Sequence, residues 1–342
     1  MLTRKEEEKL LTWLKEKGRS LPWREEATPY HVYLSEIMLQ QTRVEAVRAY
    51  YYRFLEVFPT LKDLASSSED EVLKLWQGLG YYSRGRNLRK TAILIEEKYG
   101  GEFPKSEKDL LSLPGIGPYT AHAILAIAYS LPYVAFDGNL LRIYARREAS
   151  SLSSEDPKIK EKGEKYFSSL ISLAPKEGNE ALMDLGETIC LPNGKPDCLH
   201  CPLKEGCLAH QKGEEEKYPI RPLKKERRKE SRVVFLLSYQ DKYVLDKRPP
   251  KGLLASLYEF PNFLKEENKT PEEILEEHSL SSISLDKLSS YKHIFSHLEW
   301  NMDVYQGELK NPPPSSYLLL NKEEIRKLSI PSAFAYVLNY LV

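Results

Sequence analysis

Four cysteines lie close together in the chain and form its strongest chemical pattern. They are Cys190, Cys198, Cys201 and Cys207, and the sequence has no other cysteine. Thiolate ligands grouped this closely are typical of one metal centre, not of the disulfide framework of a secreted protein. Structural zinc usually takes two C-x2-C pairs, and only Cys198 and Cys201 form one here. The spacing therefore favours an iron–sulfur cluster over zinc.

Two acidic residues stand among apolar neighbours and could form a catalytic pair. Glu36 is the only charged residue between His31 and Arg43. A carboxyl group on such an apolar helix has a raised pKa, which suits a general acid, although an exposed helix residue is the alternative. Asp137 follows a short apolar run and is either a helix cap or a catalytic carboxylate. A protonated acid and an ionised carboxylate are the pair that cleaves glycosidic bonds.

A glycine-rich turn, LPGIGPYT over residues 113–120, separates helical patterns at 106–112 and 119–129. Gly115 and Gly117 permit a tight turn and leave backbone N–H groups uncovered at the start of the second helix. Such a turn can hold a phosphate group, and the alternative is a turn that only reverses the chain.

The elements that position these residues fall into three regions. Residues 1–210 have apolar residues at helical spacing and predict an all-α region. Residues 211–231 are polar and basic, which is typical of a linker. Residues 232–342 predict a small α/β domain, with strand-like runs at 233–239, 291–295 and 300–305 and helical patterns at 271–278 and 331–341.

Composition sets limits on the function. The chain has 342 residues, 41% of them hydrophobic, and a formal net charge of zero. These values exclude a disordered chain, and any contact with nucleic acid requires a local basic patch. We expect residues 83–90, Arg142, Arg146 and the linker to supply it. The sequence predicts neither a membrane span nor a secretion signal, so we expect a cytoplasmic protein, or a nuclear one in a eukaryote.

Taken together, these motifs resemble those of a known enzyme family. The turn LPGIGPYT, the later Asp137 and the four-cysteine loop resemble the helix-hairpin-helix DNA glycosylases that carry a [4Fe–4S] cluster. Within that superfamily, SEIMLQQT, WQGLGYYSRGRNL and FDGNLLR resemble the MutY family of adenine DNA glycosylases over nearly all of residues 20–210. The resemblance implies an all-α helix-hairpin-helix glycosylase region with an iron–sulfur loop at 190–207, followed by a Nudix-like domain.

The resemblance also implies roles at the bond that is cleaved. It implies that Glu36 protonates adenine at N7 and that Asp137 stabilises or traps the sugar cation. Tyr119 supports that intermediate, and Asn139 lies beside the carboxylates. Endonuclease III, a related enzyme, has a Schiff-base lysine in the hairpin where this chain has Tyr119. A monofunctional glycosylase is therefore expected.

Further residues match positions of the family that contact DNA. Trp23, Arg24 and Glu180 match residues that line the pocket for the flipped adenine. Residues that match the surroundings of the opposite base are Gln41, Thr42, Leu79 and Tyr81, with Tyr81 as the intercalating wedge. The partner implied is duplex DNA with adenine opposite 8-oxoguanine or guanine, bound by a monomer, and no membrane.

Residues 232–342 resemble the Nudix-like domain that MutY proteins use to recognise 8-oxoguanine. The matching segments are residues 247–249, 252–261 and 293–297. The family's Phe-Ser-His loop corresponds to Phe295, Ser296 and His297. No acidic metal-binding cluster follows Gly252, so pyrophosphate hydrolysis is not expected.

Two positions depart from the family pattern. Seven residues separate Cys190 from Cys198 where the family usually has six, a difference that a loop absorbs easily. Leu141 stands where the family can have a lysine.

Three alternative functions are compatible with the same residues: an endonuclease III-like lyase, a DNA-binding protein without catalysis, and a Nudix hydrolase.

Overall fold

The computed structural model describes residues 1–222 and 226–341, so linker residues 223–225 and residue 342 lie outside the described residues. The described chain divides into two compact units. The first unit comprises residues 1–66 and 87–222, and the second comprises residues 67–86 and 226–341. Residues 67–86 thus group with the C-terminal residues, although the sequence places them inside the helical region. In the described part of the chain, no helix has the length and apolar character needed to cross a membrane.

The region before residue 212 is helical, as predicted. Its helices are α1 (Arg4–Lys17), α2 (Pro22–Glu25), α3 (Pro29–Leu39), α4 (Val44–Val57), α5 (Leu61–Ser66), α6 (Glu69–Trp76), α7 (Ser83–Tyr99), α8 (Glu107–Leu111), α9 (Pro118–Ala123), α10 (Gly138–Arg147), α11 (Pro157–Leu173), α12 (Pro175–Thr188) and α13 (Leu208–Gln211). A π-helical turn, Ile124–Ala128, continues α9.

Local sequence signals set several helix ends. Ser68 and Glu71 form the predicted capping box at the start of α6, where each side chain bonds to the backbone of the other residue. Helix α8, the turn at Gly115 and helix α9 form the predicted helix-hairpin-helix. Gly115 has a φ of 77°, and a Cβ there would lie 2.8 Å from Cβ of Asn87. This glycine is therefore required by both the backbone conformation and the close packing.

The second unit contains one mixed seven-stranded sheet. Its elements are β1 (Arg228–Tyr239), β2 (Lys242–Lys247), β3 (Tyr258–Glu259), β4 (Asn262–Leu264), α14 (Pro271–Glu277), β5 (Ser282–Ile294), β6 (Leu298–Leu309), β7 (Leu318–Leu320), α15 (Lys322–Lys327) and α16 (Ala335–Leu338). The main strand order is β3-β2-β1-β6-β5, with β4 paired to β1 and β7 paired to β2. Strands β1 and β6 run parallel, and the other pairs are antiparallel.

Strand β1 is central because its apolar run is buried on both faces of the sheet. Val233, Phe235 and Leu237 pack in one core cluster with residues of α14. Val234 and Leu236 pack in a second cluster that includes residues of α15 and α16. Alternate residues of a strand point to opposite faces, so a continuous apolar run suits a strand covered on both sides.

Part of the segment with linker composition is ordered. Strand β1 begins at Arg228, before the apolar run predicted from residue 233, because backbone pairing with β6 does not depend on side-chain polarity. Nearer the cysteines, the Arg146 guanidinium donates to the carbonyls of Glu215 and Tyr218 at 2.9 and 3.2 Å. The amide of Ser154 donates to the carbonyl of Ile220 at 2.8 Å. These bonds attach residues 215–220 to the first unit.

Candidate active site

Glu36 lies on helix α3, which begins at Pro29 after the cap residue Thr28. The neighbouring residues on the helix are buried, and Glu36 itself is only 5% exposed. Its Oε2 accepts a hydrogen bond from the Tyr119 hydroxyl at 2.5 Å. Tyr119 stands in the first turn of α9, so the hairpin brings this phenol to the acid.

The environment of Glu36 favours its protonated form. Burial raises the pKa of Glu36 to about 7, the Tyr119 hydrogen bond opposes this rise, and the nearby charge of Asp137 adds to it. A carboxyl group with this pKa is partly protonated at neutral pH and can donate a proton. The burial of Glu36 agrees with the predicted rise of its pKa, and the exposed alternative is wrong.

Asp137 is the cap residue of helix α10. Its Oδ1 accepts from the backbone amides of Asn139 and Leu140, both at 2.9 Å. Its Oδ2 accepts from Nδ2 of Asn139 at 2.8 Å. Burial raises the pKa of Asp137 above its usual value, and these three hydrogen bonds, which stabilise the carboxylate, oppose the rise. The cap position also places Asp137 at the positive end of a helix, which favours the ionised form.

Asn139 is fixed by groups beyond Asp137. Its Oδ1 accepts from Nη2 of Arg142 at 2.7 Å, and its Nδ2 also donates to Oε1 of Glu187 at 3.1 Å. Arg142 Nε donates to the carbonyl of Cys190 at 2.6 Å. The amide orientation is therefore defined, and it keeps an N–H aimed at the Asp137 carboxylate.

These residues face one cavity of about 630 Å³. Nine predicted site residues line it: Trp23, Arg24, Glu36, Gln41, Thr42, Tyr119, Asp137, Asn139 and Glu180. The structure thus brings together residues that come from five separate parts of the chain. The volume is in the range of sites that enclose a small molecule.

One wall of the cavity carries the predicted base-binding residues. The indole of Trp23 packs edge-on against Tyr51, with ring centroids 5.5 Å apart. Oε1 of Glu180 lies 3.5 Å from Nε of Arg24 and is buried without a hydrogen-bond partner among the described residues. Burial raises the pKa of Glu180, and the charge of Arg24 opposes that rise. Glu180 thus keeps one oxygen that accepts no hydrogen bond from the described residues on the wall of the cavity.

Asp184 supports this wall, and sequence reasoning missed it. It is fully buried, and its two oxygens accept from Nη1 and Nη2 of Arg24 at 2.8 and 2.9 Å. They also accept from the backbone amide and Nε of Arg19 at 2.8 and 2.7 Å. These partners lower the pKa of Asp184 against the effect of burial. Only the position of Asp184, four residues after Glu180 and thus one helical turn away, could have indicated it.

Replacing Asp184 with Asn is expected to lower the free energy of unfolding by about 3 kcal/mol, because two guanidinium groups lose their buried anion. Urea unfolding measures this loss. Glu205→Gln, which breaks the exposed ion pair with Lys9, is the matched control and should leave the transition unchanged. Equal unfolding midpoints for Asp184→Asn and the wild type would contradict the assigned role.

The other predicted DNA-contacting residues lie in three places. Gln41 has a left-handed backbone with φ of 57° at the edge of the cavity. A Cβ on Gly117 would meet nothing within 4 Å, so the hairpin is open there. In the second unit, Leu79 is buried, whereas Tyr81 is 46% exposed and has φ of 47°.

Residues 295–297 form the turn between β5 and β6, closed by the amide of Phe295 donating to the carbonyl of Leu298 at 2.8 Å. The Phe295 ring packs on Trp300 with centroids 4.9 Å apart. Ser296 and His297 are exposed, and Ser296 Oγ lies 3.3 Å from His297 Nδ1. Polar groups are thus presented at the tip of a rigid hairpin.

The expected basic patch is partly wrong. Arg142 and Arg146 are buried and bind carbonyl groups inside the first unit. Arg84 is also buried, and Arg86 donates to the carbonyl of Ala255 at 2.7 Å. A run of basic residues does not reveal which of them face solvent, because tertiary packing decides this.

The four cysteines form a separate group, and none of them is in a disulfide bond. Burial is the first cause of the raised pKa of the Cys201 thiol, and the charges of the other three thiols add to it, so the four interact. Arg146 Nη1 lies 3.1 Å from Sγ of Cys190. Four interacting thiols beside a cation are a donor set that fits an iron–sulfur cluster.

Comparison with known proteins agrees with this architecture. Residues 34–169 match the HhH-GPD superfamily of base excision DNA repair proteins, and residues 232–340 match the NUDIX domain. The fold is similar to a thermostable thymine-DNA glycosylase, with a TM-score of 0.55 and 26% identity over 60% of this chain and 95% of that one. It is also similar to endonuclease III in a non-covalent DNA complex, with a TM-score of 0.52 and 21% identity over 62% of this chain and 99% of that one.

Full-length relatives are similar over most of the sequence. An adenine DNA glycosylase of Buchnera aphidicola is 36% identical over 84% of this chain and 82% of its own length. The adenine DNA glycosylase of Homo sapiens is 31% identical over 96% of this chain and 72% of its own length.

The fold and the cavity define a helix-hairpin-helix DNA glycosylase, an enzyme that hydrolyses N-glycosyl bonds, followed by a Nudix-like domain. Within this class, the chain belongs to the adenine DNA glycosylase family, whose members act in base excision repair.

Proposed function

We propose that this enzyme removes adenine mispaired with 8-oxoguanine, or with guanine, from duplex DNA and leaves an abasic site. One observation carries the proposal most strongly. Glu36 and Asp137 line the same cavity; burial raises the pKa of both carboxyl groups, to about 7 for Glu36, whereas three N–H donors from Asn139 and Leu140 stabilise the Asp137 carboxylate. We infer that Glu36 is the proton donor and Asp137 the carboxylate, the two roles that glycosidic cleavage requires.

In the proposed reaction, Glu36 transfers its proton to N7 of adenine. The C1′–N9 bond then breaks, and its electron pair leaves with the protonated base. The Asp137 carboxylate stabilises the cation that develops on the sugar, while Tyr119 and Asn139 position the two carboxyl groups. The oxygen of a water molecule bonds to C1′, and the proton it loses restores the acid form of Glu36.

The cavity walls suit a flipped adenine. Trp23 offers an aromatic edge of the pocket, and Arg24 is fixed by Asp184. Oε1 of Glu180, which accepts no hydrogen bond from the described residues, is the proposed acceptor for the exocyclic amino group of adenine. Leaving the stack costs a few kcal/mol, which hydrogen bonds and stacking in the pocket offset.

We also propose that the enzyme is monofunctional. Strand cleavage through a Schiff base requires an amine beside C1′. No lysine is among the residues that line the cavity in the described part of the chain, and Tyr119 takes the hairpin position. The expected product is therefore an intact strand with an abasic site.

The proposed partner is duplex DNA, bound by a monomer. One structural relative is a complex of endonuclease III with DNA. The residues proposed to contact the opposite base are Gln41, Thr42, Leu79 and Tyr81. The hairpin at Gly115 and Gly117 is proposed to contact a DNA phosphate.

We propose that the four cysteines hold a single [4Fe–4S] cluster. The cluster supplies a structural centre, because all four thiols are occupied when it is bound. Arg146 then places a positive charge beside the thiolate of Cys190. The longer segment between Cys190 and Cys198 contains a glycine with φ of 72° at Gly194, which lets the chain turn back.

The turn at residues 295–297 is proposed to read the opposite base. We expect faster adenine release opposite 8-oxoguanine than opposite guanine, and Ser296→Ala should reduce this preference about tenfold by removing one hydrogen bond. Single-turnover rates on the two duplexes measure the ratio. Ser315→Ala, an exposed serine of the same unit, is the control. An unchanged ratio in Ser296→Ala excludes the proposed contact, and no adenine release from either duplex by the wild type excludes the proposed function.

A further inference from the structure

The segment that carries Tyr81 belongs to the C-terminal unit. It consists of helix α6, the loop at residues 77–82 and the first turn of α7, and it groups with residues 226–341. The turn at 295–297 lies in the same unit. Both groups of residues proposed to meet the opposite base from this unit are therefore parts of one compact body.

Side chains just before the loop and at its first residue bind backbone carbonyls of the C-terminal residues. Lys74 Nζ donates to the carbonyls of Arg326 and Leu328 at 2.6 and 3.2 Å. It also donates to Oε1 of Gln77 at 3.1 Å, and Nε2 of Gln77 donates to the carbonyl of Ile330 at 3.2 Å. Carbonyls at the end of helix α15 carry partial negative charge, so an ammonium group is well placed there.

A second anchor follows the loop. Arg86 Nη1 donates to the carbonyl of Ala255 at 2.7 Å. Ala255 lies in a tight turn in which Gly252, Leu254 and Ser256 all have left-handed backbones. The turn begins at Gly252, the glycine after which a Nudix hydrolase has its acidic helix, and in this chain Arg86 binds a carbonyl of the turn.

The loop between the anchors is held in a defined shape. Arg84 Nη2 donates to the carbonyls of Leu79 and Gly80 at 2.9 and 3.2 Å. Trp76 Nε1 donates to the carbonyl of Gly80 at 3.0 Å. Tyr81 follows directly with φ of 47°, and its exposed ring lies 5.6 Å from the Arg84 guanidinium carbon. The exposed aromatic ring is thus presented on a rigid support.

We propose that Lys74, Gln77 and Arg86 are positioning residues that fix the Tyr81 loop to the C-terminal unit, so that insertion of the wedge depends on this unit. The inference rests on the proposed function, because it assigns Tyr81 to the duplex. It gives the Nudix-like domain a second task, which is to hold the wedge as well as to contact the opposite base.

A double-mutant cycle on the full chain tests the inference. The variants are Lys74→Met, Tyr81→Ala and the double variant, with Lys62→Met as control because Lys62 is an exposed lysine of the first unit. Two quantities are measured. One is the single-turnover rate of adenine release opposite 8-oxoguanine. The other is the fluorescence of 2-aminopurine placed beside 8-oxoguanine in a duplex with an uncleavable adenine analogue, which reports unstacking.

We expect Lys74→Met to slow adenine release about tenfold and to lower the fluorescence gain when Tyr81 is present. In the Tyr81→Ala background the same change should alter the rate less than about twofold, since Lys74 acts through the wedge. Lys74→Arg keeps the charge and donors and should restore both readouts. Gln77→Leu, which removes one anchor bond, serves if Lys74→Met does not fold, and it should show the same dependence on Tyr81.

Equal effects of Lys74→Met with and without Tyr81, or an unchanged fluorescence gain, would overturn the inference. So would a Tyr81→Ala variant as active as the wild type. A wild-type enzyme that releases no adenine contradicts the proposed function instead, and the fluorescence comparison then still decides whether Lys74 positions the wedge.

Discussion

Replacing Glu36 with Gln is expected to slow adenine release by about 10² to 10⁴, the range that general acid catalysis contributes. Gln has the same shape and can still accept the hydrogen bond from the Tyr119 hydroxyl, but it cannot transfer a proton to N7. Single-turnover rates on a duplex with adenine opposite 8-oxoguanine measure the loss. Glu16→Gln, an exposed carboxyl on α1, is the matched control.

The pH dependence distinguishes this role from a structural one. Because the acid form of Glu36 is active and its pKa is raised to about 7, the wild-type rate should fall as pH rises through that value. The residual rate of Glu36→Gln should not follow the same titration. A group with a pKa near 7 titrates mostly between about pH 6 and pH 8. A wild-type rate that is constant over this range contradicts the assignment.

The same shift has a consequence for stability. The folded pKa of Glu36 is above the unfolded value of 4.5, so the folded chain binds more protons between pH 4.5 and about 7. Stability contributed by this group is present below pH 4.5 and is lost as pH rises through the folded pKa. Glu36→Gln should therefore gain stability relative to the wild type above pH 7, measured by urea unfolding at both ends of this range. The raised pKa of Glu36 therefore lowers the free energy of unfolding of the wild type above pH 7.

Replacing Asp137 with Asn is expected to slow adenine release about 10³-fold. The substitution removes the negative charge that stabilises the sugar cation. Asn is also a good cap residue, and its remaining carbonyl oxygen can still accept from the amides of Asn139 and Leu140. Helix α10 should therefore persist, which separates the chemical effect from unfolding.

A matched control exists in the same unit. Asp156 caps helix α11 through the amide of Lys158 at 2.9 Å, and it does not line the cavity. Asp156→Asn makes the same chemical change at the same kind of position and should leave adenine release within about twofold of the wild type. Similar losses in both variants contradict a role of the Asp137 charge in catalysis.

Local patterns in the sequence predicted several structural features of the candidate site. The apolar neighbours of Glu36 predicted its burial and its raised pKa, since residues on a fully apolar helix have few routes to water. Asp137 is a helix cap, and because the cap position orients the carboxylate and supplies its hydrogen bonds, this role is compatible with the proposed catalytic one. The two glycines before Tyr119 predicted the turn of the hairpin, because glycine permits a tight turn.

Other features depend on tertiary packing and have little local signal. Asp184 is one acidic residue on an amphipathic helix, and nothing beside it in sequence indicates the two arginines that it binds from the start of the chain. Arg142 and Arg146 have the sequence context of a basic surface, yet both are buried and donate hydrogen bonds to the carbonyls of Cys190 and Glu215. Residues 67–86 group with the C-terminal unit, and their side chains bind backbone carbonyls there. Every residue has a backbone carbonyl, so no sequence pattern indicates which carbonyls are bound.

The account is tested most directly by single-turnover reaction of the wild-type enzyme with a duplex that has one adenine opposite 8-oxoguanine. The products are analysed for free adenine, and for strand breaks before and after treatment with alkali. We predict release of adenine, with strand breaks mainly after alkali. A folded protein that binds this duplex and releases no adenine would contradict the account.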